Sequence, residues 1–163
     1  MITLYHGGQD IITAPEIRKP NRTLDFGAGF YLTSSAKQAK DWVIRRLQNS
    51  DVSVGYVNEY EFLISEAKKQ LKIKSFDSPT DEWLEFVMSN RRVTGFNHDF
   101  DIVIGPVAND RVYTAFALYE GGTISKELLI QELKTYRLVD QYLFHTQKSL
   151  SYLRHITAKN INL

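Results

Sequence analysis

Residues 52–64 constrain this chain more than any other stretch. Val52, Val54, Tyr56, Tyr60, Phe62 and Ile64 fall on one side of an alternating run, and Ser53, Glu59 and Glu61 fall on the other. A period of two is the pattern of a strand with one face buried and one face wet. A chain built round such a strand makes a largely antiparallel sheet with a layer packed against one face. Other segments supply further strands. Residues 2–6 predict a short opening strand ended by Gly7-Gly8, whose bare backbone permits a sharp turn and the close approach of another molecule. A long connection to about Asp25 follows. It contains Pro15 and Pro20 and reads as a binding loop rather than a packed one. Residues 28–33 predict a second strand after the Gly-punctuated Phe26-Gly-Ala-Gly. Leu71 and Ile73, alternating with Lys72 and Lys74, predict a hairpin mate for the 52–64 strand.

Helices are read from caps and from 3.6-residue spacing. Ser35 with Gln38 forms a capping box before Ala36, Ala39, Val43 and Leu47, and Asn49-Ser50-Asp51 stops that helix. Ser78-Pro79 predicts the start of another, with Trp83, Leu84, Val87 and Met88 as its apolar stripe. Residues 101–105 are a short apolar run suited to a strand buried on both faces and closed by Pro106. Asn109 or Asp110 caps a helix carrying Val112, Phe116 and Tyr119, which Gly121-Gly122 ends. Residues 125–136 predict a helix with Leu128, Leu129 and Leu133 inward, residues 140–145 a strand, and Leu150 with Leu153 a last helical turn or two. Strands and helices mix without a regular βαβ repeat, which is the pattern of an α+β domain. With 163 residues, no internal repeat and no linker-like tract, a single domain over 1–163 is expected.

Composition removes several functions. The chain has no cysteine, so a disulfide framework and a thiolate metal site are excluded. A net charge of +1 offers no long-range field for phosphate backbones or acidic membranes. The opening residues lack a basic region followed by an apolar one, and no window approaches a membrane span, so a cytoplasmic protein that does not engage membranes is expected. The four histidines, 6, 98, 145 and 155, include no i, i+4 ligand pair, and no metal is expected. No Gly-x-Ser-x-Gly elbow and no P-loop occur, and the Gly27-Ala-Gly29 segment has Leu32 where a dinucleotide fingerprint needs its third glycine.

What remains suits a flat heteroaromatic ring joined to a sugar. A ring nitrogen of His6 can bond a ribose hydroxyl, and the Gly7 backbone can offer N–H and C=O groups to an amide. Tyr31 on a strand and Trp42 about two turns into the next helix can wall a planar ligand. Each such stack contributes roughly 0.5–1.5 kcal/mol beyond area. A tyrosine in a strand and a tryptophan on a helix are more often core than ligand clamp. Arg22, near the end of the long loop, matches phosphate geometry and is suited to a pyrophosphate. Arg45-Arg46 and Arg91-Arg92 read as solvated faces.

The segments Leu4-Tyr-His-Gly-Gly and Asp25-Phe-Gly-Ala-Gly-Phe-Tyr-Leu-Thr-Ser-Ser, followed by a helix with Gln38-Ala39 and Trp42, resemble the ADP-ribosyltransferase superfamily. The resemblance is closest to the His-Tyr-Glu branch that includes poly(ADP-ribose) polymerases and diphtheria toxin. That branch has a His-Gly on its first strand, a Gly-x-Gly-x-Tyr on its second, and a second stacking aromatic eleven positions later, the spacing from Tyr31 to Trp42. The whole chain also resembles a small bacterial family of uncharacterised proteins, with the run at 98–110 as its hallmark. The superfamily resemblance implies a split β-sheet with flanking helices and NAD as substrate. It implies that His6 holds the adenosine ribose, Gly7 grips the nicotinamide carboxamide, and Tyr31 and Trp42 sandwich the nicotinamide ring. The third motif, a glutamate opening a late strand, is matched by Gln141 in Val139-Asp-Gln-Tyr-Leu-Phe-His-Thr, a departure from the pattern. Ala39 is a second departure, standing where polymerases carry a serine.

The glutamine matters because cleaving nicotinamide from ribose builds oxocarbenium character, which a carboxylate stabilises and a neutral amide can only help orient. Asp140 would point to the opposite face from Gln141, while His145, four residues on, would share its face. Asp99, Asp101 and Asp110 stand at element ends, where a target base or a helix cap is placed equally well. The expected activity is mono-ADP-ribosyl transfer to an unknown macromolecular or nucleotide acceptor, in a setting such as the toxin of a bacterial toxin–antitoxin pair, with an antitoxin protein as partner. The rival readings are an inactive NAD- or ADP-ribose-binding module acting through a protein partner, and a structural interaction protein.

Overall fold

The structure is a computed structural model that describes residues 1–20, 23–106, 110–136 and 138–163. Asn109, the side chain of Asp110, and Arg22, the expected pyrophosphate ligand, lie outside the described residues. In chain order the elements are β1 (Ile2–Gly8), β2 (Phe30–Thr33), α1 (Ala36–Gln48), β3 (Val54–Phe62), α2 (Ile64–Gln70), β4 (Ile73–Ser75), α3 (Asp81–Arg92), β5 (Ile102–Pro106), α4 (Asp110–Glu120), α5 (Lys126–Lys134), β6 (Asp140–Phe144), α6 (Gln147–Leu150) and β7 (Leu153–Asn162). The chain is therefore mixed α+β. Its strands form a seven-stranded sheet in the order β4-β5-β6-β2-β1-β3-β7, antiparallel at every described pairing except β4 with β5. No described helix is long and apolar enough to cross a membrane.

The centre of the sheet is thin. β1 pairs with β3 along its whole length, from Ile2↔Phe62 to Gly8↔Tyr56, whereas its register with β2 is confined to Tyr5↔Thr33. Beyond that pair His6, Gly7 and Gly8 continue beside β3 alone. Two half-sheets, β4-β5-β6-β2 and β1-β3-β7, thus meet at a narrow seam.

Register fixes which side chains share a face, because partners across a ladder point the same way. Tyr5, Gly7, Val57, Tyr31, Thr33, Gln141, Leu143 and Val103 lie on one face. Over β5 and β6 that face is covered by α3, α4 and α5 through Trp83, Val87, Val112, Phe116, Leu129 and Leu133. Over β1 and β3 it is covered by α1 through Ala39, Val43 and Leu47. The opposite face carries Leu4, Phe30, Leu32, Tyr60, Phe62 and Phe144 against α2, α6 and the long loop.

Several expectations need correction. Leu71 and Ile73 do not return beside the alternating strand. Residues 64–70 form α2, and Ile73 joins β5 in parallel at the far edge, where Phe76 buries on the sheet. The N-cap of α3 is Thr80, whose hydroxyl accepts from Trp83 N, because Pro79 leaves the threonine as the last extended residue. Leu128 is half exposed, while Leu129 and Leu133 fill the core. After one turn of α6 the chain becomes the ten-residue β7. Its weak alternation, interrupted by an extra residue opposite Glu59/Tyr60, hid that strand. The long loop is packed in part. Asn58, fully buried, donates to Asp10 O at 2.9 Å and accepts from Ile12 N at 2.8 Å, Tyr60 donates to Ile12 O at 2.5 Å, and Ile12 and Ile17 join the core.

Candidate functional site

The seam is where the expected site residues collect. Tyr31 lies on β2 in register with Leu143, and Thr33 in register with Gln141. Tyr31 and Gln141 therefore share a face, one strand apart and diagonally related. Gln141 is only 9% exposed, and its Nε2 has no hydrogen-bond partner among the described residues. Asp140 points the other way, as expected from strand alternation.

Helix α1 closes the same face from the β1 side. Ser35 Oγ accepts from Gln38 N and caps the helix as the sequence predicts. Thr33 donates to Gln38 Oε1 at 2.7 Å, which turns the Gln38 flank of α1 toward β2. Trp42 and Arg46 follow Gln38 at steps of four residues, so both rise along that flank. Trp42 is 41% exposed and carries the Arg45 guanidinium 5.9 Å from its ring centroid. Arg46, read in the sequence as solvated, has no salt-bridge partner among the described residues and lies about 6 Å farther along the axis than Trp42. The i+4 spacing from Trp42 was the signal that would have found it.

Gly7 has a packing role that the sequence did not reveal. A Cβ there would stand 2.5 Å from Ala39 O and 2.9 Å from Val43 Cγ2, so α1 sits directly on the bare backbone. Ala39 is buried at the same contact.

His6 is not on this face. Tyr5 opposes Thr33, so His6 projects to the other side, where its ring stacks on Phe30 at 4.5 Å. It meets Tyr31 through the backbone, Nδ1 lying 2.8 Å from Tyr31 O. A carbonyl only accepts, so Nδ1 carries the hydrogen and Nε2 is left as the acceptor. Burial lowers the His6 pKa below its usual value, with the Tyr31 carbonyl opposing the shift and the Arg46 charge reinforcing it. The ring is neutral at pH 7, and its Nε2 lies beside Gly8, 3.4 Å from where a Cβ would be. The expected single slot is thus a two-sided seam. Tyr31, Gln141 and the Trp42 flank stand on one face, and the imidazole enters from the other.

The remaining candidates are structural. Asp99 pairs with Lys72 at 2.7 Å, and Asp101 accepts from Lys72 N at 2.9 Å and Thr146 Oγ1 at 2.8 Å. His145 lies past the end of β6 and donates from Nδ1 to Ala28 O at 2.5 Å, so it does not support Gln141. A cleft of about 600 Å3 between α4 and α5, lined by Arg111, Leu118, Leu128 and Tyr136, lies apart from all of these groups. No cluster of metal-binding side chains occurs among the described residues.

Comparison with known proteins gives a family without an assigned role. Neither a curated protein nor a solved structure matches the chain. A family described as "Protein of unknown function (DUF3990)" matches residues 2–155, nearly the whole chain and every side chain of the seam. The protein belongs to the DUF3990 family.

Proposed function

We propose that this protein is an NAD-dependent mono-ADP-ribosyltransferase with an ADP-ribosyltransferase-like split sheet. The observation that carries the reading is the buried Gln141 amide. Its N–H group has no partner among the described residues, it shares a face with Tyr31, and it lies beside the helix flank that bears Trp42. A buried amide without a partner costs about 1–3 kcal/mol, a cost that a bound ligand would remove. Nicotinamide stacked between Tyr31 and Trp42 would bring its ribose toward Gln141, and Nε2 of His6 would accept from a hydroxyl of the second ribose. The glycosidic C–N bond breaks with its electron pair passing to the pyridinium nitrogen, so nicotinamide leaves neutral. The acceptor nucleophile adds to the ribose carbon and loses a proton. Gln141 orients a ribose hydroxyl and supplies no charge, which predicts a slow enzyme.

The test is incubation of pure protein with labelled NAD and cell lysate. Label transfer with nicotinamide release is expected, together with loss of both in His6→Ala, Tyr31→Ala and Gln141→Ala. One observation favours a second reading, a module that binds NAD or ADP-ribose and acts through a protein partner: the third motif residue is neutral. In that case native protein binds NAD without turnover, and Gln141→Glu creates turnover. In the enzyme, Gln141→Glu accelerates release on the order of 10-fold or more. No NAD-dependent change in thermal midpoint would reject both, since ligand at a hundred times its Kd stabilises by about 2.7 kcal/mol.

A further inference from the structure

Three successive carbonyls of the turn before β2 are each held by a side chain. Phe26 O accepts from His98 Nε2 at 2.7 Å, Gly27 O from the Tyr31 hydroxyl at 2.6 Å, and Ala28 O from His145 Nδ1 at 2.5 Å. The Tyr31 oxygen in turn accepts from Phe26 N at 3.2 Å. The two imidazoles come from distant parts of the chain and lie against each other, with ring centroids 4.2 Å apart. Each is anchored in its turn. His98 Nδ1 accepts from Phe100 N at 3.3 Å, which leaves Nε2 with the hydrogen it donates to Phe26. His145 N donates to Asp101 O at 2.8 Å, and Asp101 is fixed by Lys72 and Thr146.

The turn has little freedom to answer these bonds by moving. Gly27 sits at φ 95° and Gly29 at φ 151°, and a Cβ on Gly29 would fall 2.3 Å from Phe144 O. Phe26 is fully buried, and the neighbouring Asp25 pairs with Arg91 at 3.1 Å. A backbone so restrained locates the acceptor of the Tyr31 hydroxyl, and through it the plane of the phenol ring.

We propose that His98 and His145 are positioning residues for Tyr31. They fix the 26–28 turn so that the ring is held ready at the seam, which gives the proposed NAD site its stacking wall; the ligand part of this inference rests on the transferase reading. It also assigns a role to the histidine that begins the 98–110 run, whose strand β5 pairs Gly105 with Gln141. Side chains set into place by a rigid surrounding shell lose no binding energy to ordering.

The test compares leucine with amide replacements at each histidine. His98→Leu and His145→Leu remove the donors, whereas a side-chain N–H in His98→Gln and His145→Asn can still reach the same carbonyls. In the full-length protein, NAD affinity or nicotinamide release should fall on the order of 10- to 100-fold in the leucine variants and return in the amide variants. A second readout needs no ligand. In the leucine variants, amide exchange over residues 26–31 should quicken and the Tyr31 ring NMR signals should shift, while those of Tyr60 in the opposite core stay put. Failure of the native protein to bind NAD would overturn the transferase reading alone, and the Tyr31 signals would still decide the positioning. Leucine variants with unchanged Tyr31 signals, or amide variants that lose as much as the leucine ones, would overturn the inference.

Discussion

Gln141 combines a stability cost with a functional opportunity. Gln141→Leu removes a buried donor that has no acceptor among the described residues and should raise stability by about 1–2 kcal/mol. The same change should abolish any NAD-dependent rise in the thermal midpoint, and paired melts with and without NAD check both. Gly7 shows the reverse relation. Gly7→Ala drives a methyl into Ala39 O and Val43, and should cost about 1–3 kcal/mol in a urea titration before any effect on ligand is considered. Lost activity in that variant therefore says little about a carboxamide contact. At this scale Tyr31 and Trp42 were candidates by residue type, and Gln141 was a candidate only through the family resemblance. It did not show that His6 enters the seam from the opposite face, because the side of the sheet that a strand residue takes depends on its partner strand.

Among the elements, α1 is the one that joins sequence to site. Its cap, its buried stripe and its stop at Asn49 were all legible, since they are local patterns of hydrogen bonding and apolar spacing. Which flank faces the seam was not, because the bond from Thr33 to Gln38 decides it. On that flank Arg46→Gln should leave the melting midpoint unchanged and weaken NAD binding several-fold, more at low salt than at high, as an exposed charge near a pyrophosphate should. Calorimetric titration at two ionic strengths checks this, and nicotinamide riboside, which carries no phosphate, should show a smaller difference. The α3–α5 layer is ordinary core by contrast. Leu133→Ala should cost about 2–5 kcal/mol, measured by the shift in urea midpoint. The alternation announced β4 but not its partner, which lies in β5 rather than in the 52–64 strand, while β7 was missed because its alternation is weak and its partner lies far away in sequence.

At the scale of the molecule, two histidines tie stability to pH. Burial lowers the pKa of both His6 and His98; at His98 the Phe26 carbonyl opposes it, the His145 ring adds to it and Asp99 offsets it weakly. The unfolded chain then binds more protons than the native one below the ordinary histidine value, so stability is full above about pH 6.5 and declines as pH falls toward the native pKa values. Thermal midpoints should drop between neutral pH and the onset of carboxylate titration, and the slope should be shallower in His98→Gln. The sequence alone determined the periodicities: one long half-buried strand, a doubly buried β5 and capped amphipathic helices. Those follow from local backbone geometry and from which side chains leave water, and neither needs a partner segment. Only the tertiary structure decided that two half-sheets meet at a single register pair, that α1 sits on Gly7, and that His98 and His145 grip the turn before β2. Each of those depends on groups dozens of residues apart being brought within hydrogen-bond reach, and no pattern within one segment encodes that.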